Sequence, residues 1–278
     1  SISINFDIYY QGIKQGSINP VFLIDRRNPF VPEVVSTTEN NFSRDNVEVT
    51  FVSNEEVYYS ISSPIFNTDG FDTSDVSQIQ KTPDKSMFKK AENNTVVLPS
   101  AKDAAVFYTV YAYAKDISGN CSDIISYSTI IDSKNYYVDS SVKKSGNHLG
   151  TKYDPFPEIN DAVAAIKSDN VTLYLKGSFV LDKPFTISTN CTILGDENTR
   201  LNFTSNSLLV IENANVTMKD CILEKQVPQT GDVLQKNLLR IYDSSFIASN
   251  CEFVCYFDFS GSCISSKNSS ITLENTGL

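Results

Sequence analysis

The sequence predicts an all-β protein in which a β-sandwich precedes the N-terminal part of a parallel β-helix. The 278 residues are rich in Ser, Asn, Thr, Val, Ile, Tyr and Phe and poor in helical runs, which favours strands. Short alternating apolar segments occupy residues 31–134. An internal repeat then runs from Asn170 to Asn275. These three observations together predict two successive β regions.

Five six-residue segments of the repeat align with one another. Each opens with Asn or Ser, which tolerate turn and left-handed conformations, and then places apolar side chains two residues apart. Their starting positions differ by 20, 25, 30 and 25 residues, since the segments are 170–175, 190–195, 215–220, 245–250 and 270–275. This spacing indicates stacked coils, because one coil cannot bury its apolar row alone.

Residues 1–30 predict a β-hairpin. The segment from Ile4 to Tyr10 alternates, a polar turn with Gly12 and Gly16 follows, and a second apolar run covers residues 21–25. A hairpin of the same shape ends the next region, over residues 108–132. We therefore expect residues 1–30 to be the last hairpin of a preceding sandwich domain, docked on a neighbour, since an isolated hairpin is marginally stable.

Residues 31–134 predict a small β-sandwich. Apolar side chains alternate over residues 47–51 and 57–61, a short strand is expected at 96–98, and the long hairpin over 108–132 completes the pattern. About seven short strands over roughly 100 residues, without helical periodicity, are typical of sandwiches.

This region also resembles a known module. The segments that carry the resemblance are Asn46-Val-Glu-Val-Thr-Phe, Val57-Tyr-Tyr-Ser-Ile, Tyr111-Ala-Tyr-Ala-Lys-Asp and Ser118-Gly-Asn-Cys-Ser122. They are similar to the Ig-like module at the C-terminus of chitobiases and in many bacterial surface proteins. In this sequence the usual Gly-rich mid-loop is replaced by residues 67–75. The resemblance implies a spacer or accessory role without catalysis.

The 67–75 segment carries Asp69, Asp72 and Asp75 around Gly70. Closely spaced hard oxygen ligands are what Ca²⁺ requires, although the spacing and closing Glu of an EF-hand are absent. Calcium binding and a solvated acidic turn are both open interpretations, and we assign no metal or cofactor residue here.

Residues 135–278 begin with a predicted strand at 136–139 and then a predicted helix. Ile159, Ala162, Val163 and Ile166 fall on one helical face, and Pro157 suits the first turn. Such a helix would cap the first coil. The run from Tyr136 through the Asp154-Pro-Phe-Pro-Glu-Ile-Asn-Asp-Ala-Val motif resembles the entry segment of right-handed β-helices of the pectate-lyase superfamily. The resemblance implies three strands per coil.

Further apolar segments supply those additional strands. They are 185–187, 208–211, 238–241 and 263–264 before the aligned segments, and 201–203, 222–223 and 253–254 after them. Two excursions, 225–237 and 252–261, interrupt the period. The sequence lacks an initiator Met and stops after a strand at Leu278. We therefore expect it to be a piece of a longer protein with more coils.

Six cysteines include no CxxC pair and no metal-ligand spacing with the single His148. The repeat alignment places Cys221 and Cys251 at equivalent positions. Because stacked coils lie about 4.8 Å apart, we expect these thiols to be neighbours. A buried stack of free thiols and a disulfide remain alternatives.

Charge and hydropathy exclude some classes of function. With 23 basic and 33 acidic residues the net charge is −10 and the isoelectric point is about 4.6. An acidic surface without a Lys/Arg cluster argues against nucleic-acid binding. No apolar run reaches the roughly 20 residues of a membrane span.

The middle coils offer few ionisable residues for catalysis: Lys219, Asp220, Glu224, Lys225, Glu252 and Asp258. Enzymes of the superfamily are polysaccharide lyases, with calcium-binding acidic residues and a basic residue, or glycoside hydrolases, with grouped carboxylates. Asp220 aligns with Asn250 and Asn275, which predicts a polar turn ladder rather than a catalytic pair. We assign no catalytic residue.

Two further patterns have structural and functional interpretations. Eight Asn-x-Ser/Thr triplets occur, and the repeat phase explains most of them as turn residues rather than glycan acceptors; they include Asn170, Asn190, Asn202, Asn215 and Asn268. The aromatic run 256–259 is either a platform for sugar rings or a packed loop.

The sequence thus predicts a secreted or cell-surface bacterial protein, adhesin-like or glycan-binding, with a polysaccharide or host-surface ligand and no catalysis in this stretch. The alternative is a carbohydrate-active enzyme, a lyase or glycoside hydrolase, whose active coils lie beyond Leu278. A purely structural surface stalk is the second alternative.

Overall fold

The computed structural model describes residues 2–22, 24–36, 38, 40–72, 81–226, 237–256 and 262–278. Within these ranges the protein is built of strands and a single α-helix, so the all-β prediction is confirmed. None of the described helices is long and apolar enough to cross a membrane.

The N-terminal hairpin is tighter than the sequence suggested. Its strands are β1 (Ile2–Ser3), β2 (Phe6–Tyr10), β3 (Ile13–Ile18) and β4 (Val21–Phe22). Gln11 and Gly12 both have positive φ, 49° and 78°, and connect β2 directly to β3. The expectation that 21–25 pairs with the first strand is wrong, because such a two-residue turn brings the next residues back at once. Strand β4 pairs with β1 instead.

The predicted sandwich region forms two sheets. Its strands are β5 (Glu33–Ser36), β6 (Phe42–Ser43), β7 (Val47–Val52), β8 (Glu56–Ile61), β9 (Ile65–Asn67), β10 (Lys89–Lys90), β11 (Thr95–Leu98), β12 (Ala105–Lys115) and β13 (Ile125–Ile131). One sheet has the order β11-β7-β5. The other has the order β10-β8-β12-β13-β6, with β9 also paired to β12. The inward rows Val47, Val49, Phe51 and Val110, Ala112 share one core.

The second region is a parallel β-helix, as predicted. Sheet 1 contains β14 (Asn135–Asp139), β15 (Val171–Lys176), β18 (Cys191–Leu194), β21 (Asn215–Lys219), β24 (Ser245–Ser249) and β27 (Ser270–Glu274). Sheet 2 contains β16 (Ser178–Leu181), β19 (Arg200–Phe203), β22 (Ile222–Gln226) and β25 (Glu252–Tyr256). Sheet 3 contains β17 (Phe185–Ile187), β20 (Leu209–Glu212), β23 (Asn237–Tyr242) and β26 (Ser262–Lys267).

The register of sheet 1 follows the sequence repeat. Val171, Cys191, Val216, Phe246 and Ile271 are successive partners across its parallel strands, so the alignment of the five segments is confirmed. Their side chains belong to a continuous interior that the three sheets enclose. The stacked coils therefore bury together the apolar side chains that a single coil would leave exposed.

Helix α1 (Ile159–Ala165) covers the first end of this interior. Ile159 and Ala162 are buried, and the hydroxyl of Tyr136 on β14 donates to the carbonyl of Ala165 at 3.4 Å. The predicted capping helix is confirmed. It ends at Ala165, so Ile166, which the sequence placed on its apolar face, follows the helix directly.

Arg44 joins the sandwich to the β-helix. Its Nη1 donates to the carbonyls of Asp132 and Asn135, and its Nη2 donates to those of Leu149 and Gly150, both at 2.9 Å. Burial lowers the pKa of this guanidinium, and the four carbonyls replace part of the water that it loses, at Nη1 and Nη2. This contact fixes the path of the chain from the sandwich into the first coil.

Two aromatic rings and one side-chain hydrogen bond complete the junction. The Arg44 guanidinium carbon lies 4.8 Å from the ring centre of Phe42 and 4.1 Å from that of Tyr136, within the range of cation–π attraction. The Tyr137 hydroxyl donates to the carbonyl of Asp69 at 2.6 Å. Both parts of the chain thus contribute to one continuous contact.

Candidate functional site

A polar groove follows the turns that connect sheet 1 to sheet 2. It is an open depression of about 750 Å³, and we call it the ladder groove. Carboxylates and amides from four successive coils line its surface: Asp196, Glu197, Asn198, Asp220, Asn250, Glu252 and Asn275.

The ladder groove is built from left-handed turn residues. Asp220, Asn250 and Asn275 have φ of 54°, 53° and 48°, which Asp and Asn tolerate better than other residues with a Cβ. The Asp220 amide donates to the Ser249 carbonyl at 3.1 Å, and the Asn250 side-chain amide donates to Asp220 Oδ1 at 3.2 Å. The predicted polar turn ladder is confirmed.

Gly195 lets the second coil approach the third at this corner. A Cβ at this position would lie 2.3 Å from the carbonyl oxygen of Asp220 and 2.8 Å from Cys221 Sγ. The Gly195 amide donates to the Lys219 carbonyl at 2.9 Å. The glycine is therefore required for close packing rather than for a positive φ.

Cys221 and Cys251 lie buried behind the groove, and both are free cysteines. The Cys221 thiol donates to the carbonyl of Lys219 at 3.2 Å. Burial raises the pKa of each thiol, and each lies close enough to influence the other. The predicted stack of neighbouring thiols is present, and these sulfurs are poor nucleophiles because the thiolate is disfavoured.

The structure separates most of the ionisable residues considered for catalysis. Asp220 and Glu252 reach the ladder groove. Lys219 lies on the outer face of sheet 1, and Glu224 lies on sheet 2 with a carboxylate oxygen 4.0 Å from Arg200 Nη1. Asp258 lies outside the described residues. The described members therefore do not converge on one reacting centre.

Lys225 is inside the β-helix, which the sequence analysis did not foresee. Its register partners Phe203 and Cys255 also point inward. The ammonium donates to the carbonyls of Ser207 and Asn237, the latter at 3.0 Å. Burial lowers the pKa of Lys225 to about 8. The sequence does carry a signal for this burial, because Lys225 lies two residues after the buried Leu223 and both side chains therefore point to the same side of the strand.

The acidic segment considered for calcium is partly described. Asn67 Oδ1 accepts a hydrogen bond from the Asp69 amide at 2.9 Å, which forms a side-chain-stabilised turn. Asp72 is described, and Asp75 lies outside the described residues. Over the part of the chain that the structure describes, no group of three or more His, Cys, Asp or Glu side chains is arranged to hold a metal ion.

A second ladder lies at the corner between sheets 3 and 1. Asn213, Asp243 and Asn268 have φ of 53°, 46° and 52°, and Asn268 Nδ2 donates to Asp243 Oδ1 at 3.1 Å. Among the first residues of the aligned segments, Asn170 has a left-handed φ of 61°. Asn215, in contrast, is the first residue of its strand, because the sharp bend occurs two residues earlier.

Several of the Asn-x-Ser/Thr residues have structural hydrogen bonds. Asn190 Oδ1 accepts from the Asn215 amide at 2.7 Å, and Asn202 Nδ2 donates to Ser178 Oγ at 2.8 Å. In the aromatic run, the Tyr256 side chain is exposed, and residues 257–259 lie outside the described residues. The described residues of these two features do not line the ladder groove.

Comparisons with known proteins supply no family or function that can be assigned to this chain. No protein-family model matches the sequence, and no curated protein matches it. Among solved structures, a family 28 exopolygalacturonase from Yersinia enterocolitica is similar at 11% identity, over 90% of this chain and 69% of that chain, with a TM-score of 0.21. A score this low supports no argument, so the β-helix rests on its own strand register.

Proposed function

We propose that this chain is an adhesin-like surface scaffold that binds a glycan along the ladder groove and performs no chemistry in the described coils. The ladder groove is the observation that carries the proposal. Carboxylate and amide groups accept and donate hydrogen bonds with the hydroxyls of a sugar. Successive coils repeat these groups about every 4.8 Å, which suits an extended chain of similar units.

The negative charge of the ladder groove limits the class of glycan that it can bind. Asp196, Glu197, Asp220 and Glu252 line the groove, and the chain has a net charge of −10. Repulsion between like charges disfavours a polyuronate. A neutral polysaccharide, or one that carries amino groups, is the class we propose.

The first region would act as a rigid spacer. We propose that residues 31–134 are an Ig-like accessory module, that residues 1–30 belong to a preceding module of the same kind, and that the protein works outside the cell or at its surface. The two packed sheets support this proposal, as does the Arg44 contact with the first coil.

A glycan array tests the binding proposal with two matched variants. Asp220→Asn removes a charge from the ladder groove, and Asp243→Asn makes the same change in the second ladder. We expect the wild type and Asp243→Asn to bind neutral or amino-sugar glycans, and Asp220→Asn to lose about tenfold in affinity. Equal binding by all three would contradict the assignment to this groove.

A product assay run beside the array separates the alternatives. Release of reducing ends or unsaturated products by the protein would replace the scaffold with a glycoside hydrolase or a lyase. Absence of both binding and product would favour a purely structural stalk.

A further inference from the structure

The N-terminal hairpin has one polar and one apolar face. Among the described strands, β2 and β3 pair only with each other, and nearly all of their side chains are exposed. An ion pair between Asp7 on β2 and Lys14 on β3, at 2.7 Å, marks the polar face. Because side chains alternate along a strand, Phe6, Ile8 and Tyr10 lie on the opposite face.

A shift in strand register extends the apolar face onto β3. Tyr10 is the partner of Ile13 because the register shifts after Ile8. An unshifted register would place Lys14 opposite Tyr10 instead. Bulges re-aim side chains in this way. The apolar set, which we call the hairpin face, is 47–67% exposed and consists of Phe6, Ile8, Tyr10, Ile13 and Ile18.

The hairpin face is large enough for a small interface. A two-stranded hairpin is at best marginally stable in water, so a stable one requires a second layer over its apolar side. Five large side chains that are each about half exposed present roughly 600 Å² per copy. Two such faces in contact would therefore remove about 1,200 Å² from water, which is the lower end of the range for specific protein–protein interfaces.

The charge of the hairpin suits a second copy of the same chain. The chain has a net charge of −10, so two copies repel each other over most of their surfaces. Residues 2–22 contain one acidic and one basic side chain, Asp7 and Lys14, and these pair on the polar face. Two hairpin faces can therefore meet without like-charge repulsion, and a twofold axis makes one patch complementary to itself.

The outer face of the three-stranded sheet of the sandwich differs in this respect. Val52 and Val97 are 53% and 56% exposed there. Their register partners on the same face are Glu33 and Glu48. Two copies that met through this face would bring carboxylates of like charge together, which disfavours association. Exposed apolar area alone therefore does not distinguish the two faces, but charge does.

We propose that two copies of this chain associate through their hairpin faces about a twofold axis. Each copy supplies one layer, β2 and β3, of a two-layer sandwich, and the Asp7–Lys14 pair faces solvent. The dissociation constant lies in the micromolar range, because the interface is small. The inference does not depend on glycan binding. It assigns the second layer over the hairpin to another copy rather than to strands of the same polypeptide.

Analytical ultracentrifugation over a dilution series that spans the micromolar range tests the proposal. We expect a reversible equilibrium between monomer and dimer for the wild type. Tyr9 and Tyr10 provide a matched pair of variants, because they are adjacent, 61% and 66% exposed, and on opposite faces of the hairpin. Tyr10→Ser should raise the dissociation constant about tenfold, and Tyr9→Ser should leave it unchanged.

Two charged substitutions separate the hairpin face from the sandwich face. Ile8→Glu should abolish the dimer, because a twofold axis would bring two carboxylates into the apolar contact, whereas Val97→Glu should preserve it. Circular dichroism checks that each variant is folded. A wild type that stays monomeric at every concentration would overturn the proposal. So would equal effects of Tyr9→Ser and Tyr10→Ser, or a dimer that Val97→Glu disrupts and Ile8→Glu does not.

Discussion

Two buried cations illustrate how differently the two halves of this molecule accommodate charge. Arg44, at the junction, donates to four backbone carbonyls and lies against two aromatic rings. Lys225, inside the third coil, donates to two carbonyls. The guanidinium has enough fixed donors to join three chain segments. Burial lowers the pKa of both groups, to about 8 for the ammonium, which has two hydrogen-bond acceptors against four for the guanidinium.

Replacement of Arg44 should have the largest effect. In Arg44→Met four carbonyls lose a charged donor, so we expect the free energy of unfolding to fall by about 3–5 kcal/mol. Calorimetry should then show the sandwich and the β-helix melting separately. Arg44→Lys should rescue little, because one ammonium cannot bridge all four carbonyls. Arg26→Met, at an exposed position, is the control, and an equal loss there would contradict this role.

Replacement of Lys225 should have a smaller, pH-dependent effect. The pKa in the folded protein, about 8, lies below the ordinary value of 10.5, so the unfolded chain binds more protons between these pH values. The free energy of unfolding of the wild type should therefore rise with pH in that window, relative to Lys225→Met, by about 1–3 kcal/mol. Denaturant titrations of both proteins at pH 7.5 and 10 measure the difference. A constant difference would mean that Lys225 is not desolvated.

His148 should contribute least, through the turn that supplies carbonyls to Arg44. Its Nδ1 lies 2.8 Å from Asp154 Oδ1, and Asp154 Oδ2 accepts from the Leu149 amide at 2.9 Å. The hydrogen bond to Asp154 raises the pKa of His148. The stabilisation should therefore be complete below the unfolded pKa of about 6.5 and lost as pH rises through the folded value.

The difference in unfolding free energy between wild type and His148→Gln should be under about 1 kcal/mol, because the pair is partly solvated. It should be largest near pH 5 and shrink as the pH rises through the raised pKa of the folded protein. A difference that grows with pH would contradict the assignment of the charged pair.

The two cations also show which features of the fold could be predicted from the sequence. Period-two alternation fixes which side chains enter the coils, so Val171 and its register partners could be aligned without a structure. Lys225 was considered only as an ionisable candidate for catalysis and as the start of an excursion from the repeat, although it lies two residues after Leu223 and so shares its inward phase. Arg44 was not identified, since its partners are backbone carbonyls separated from it by about 90 to 105 residues in the sequence.

The candidate site was foreseen only in part. The alignment of Asp220 with Asn250 and Asn275 predicted the ladder, because a sharp turn selects Asp and Asn at every coil. The contributions of Asp196 and Glu197 come from a longer turn that has no counterpart in the repeat. The second ladder was missed because its left-handed residues precede the aligned segments by two positions.

Calorimetric titration with a glucosamine oligomer tests the central claim most directly. At low salt it should bind the wild type and Asp243→Asn equally, and Asp220→Asn about tenfold more weakly, since the groove loses one of its carboxylates. An oligogalacturonate of the same length should bind none of the three. Equal affinity of all three proteins for the glucosamine oligomer, or tighter binding of the oligogalacturonate, would contradict glycan binding in the ladder groove.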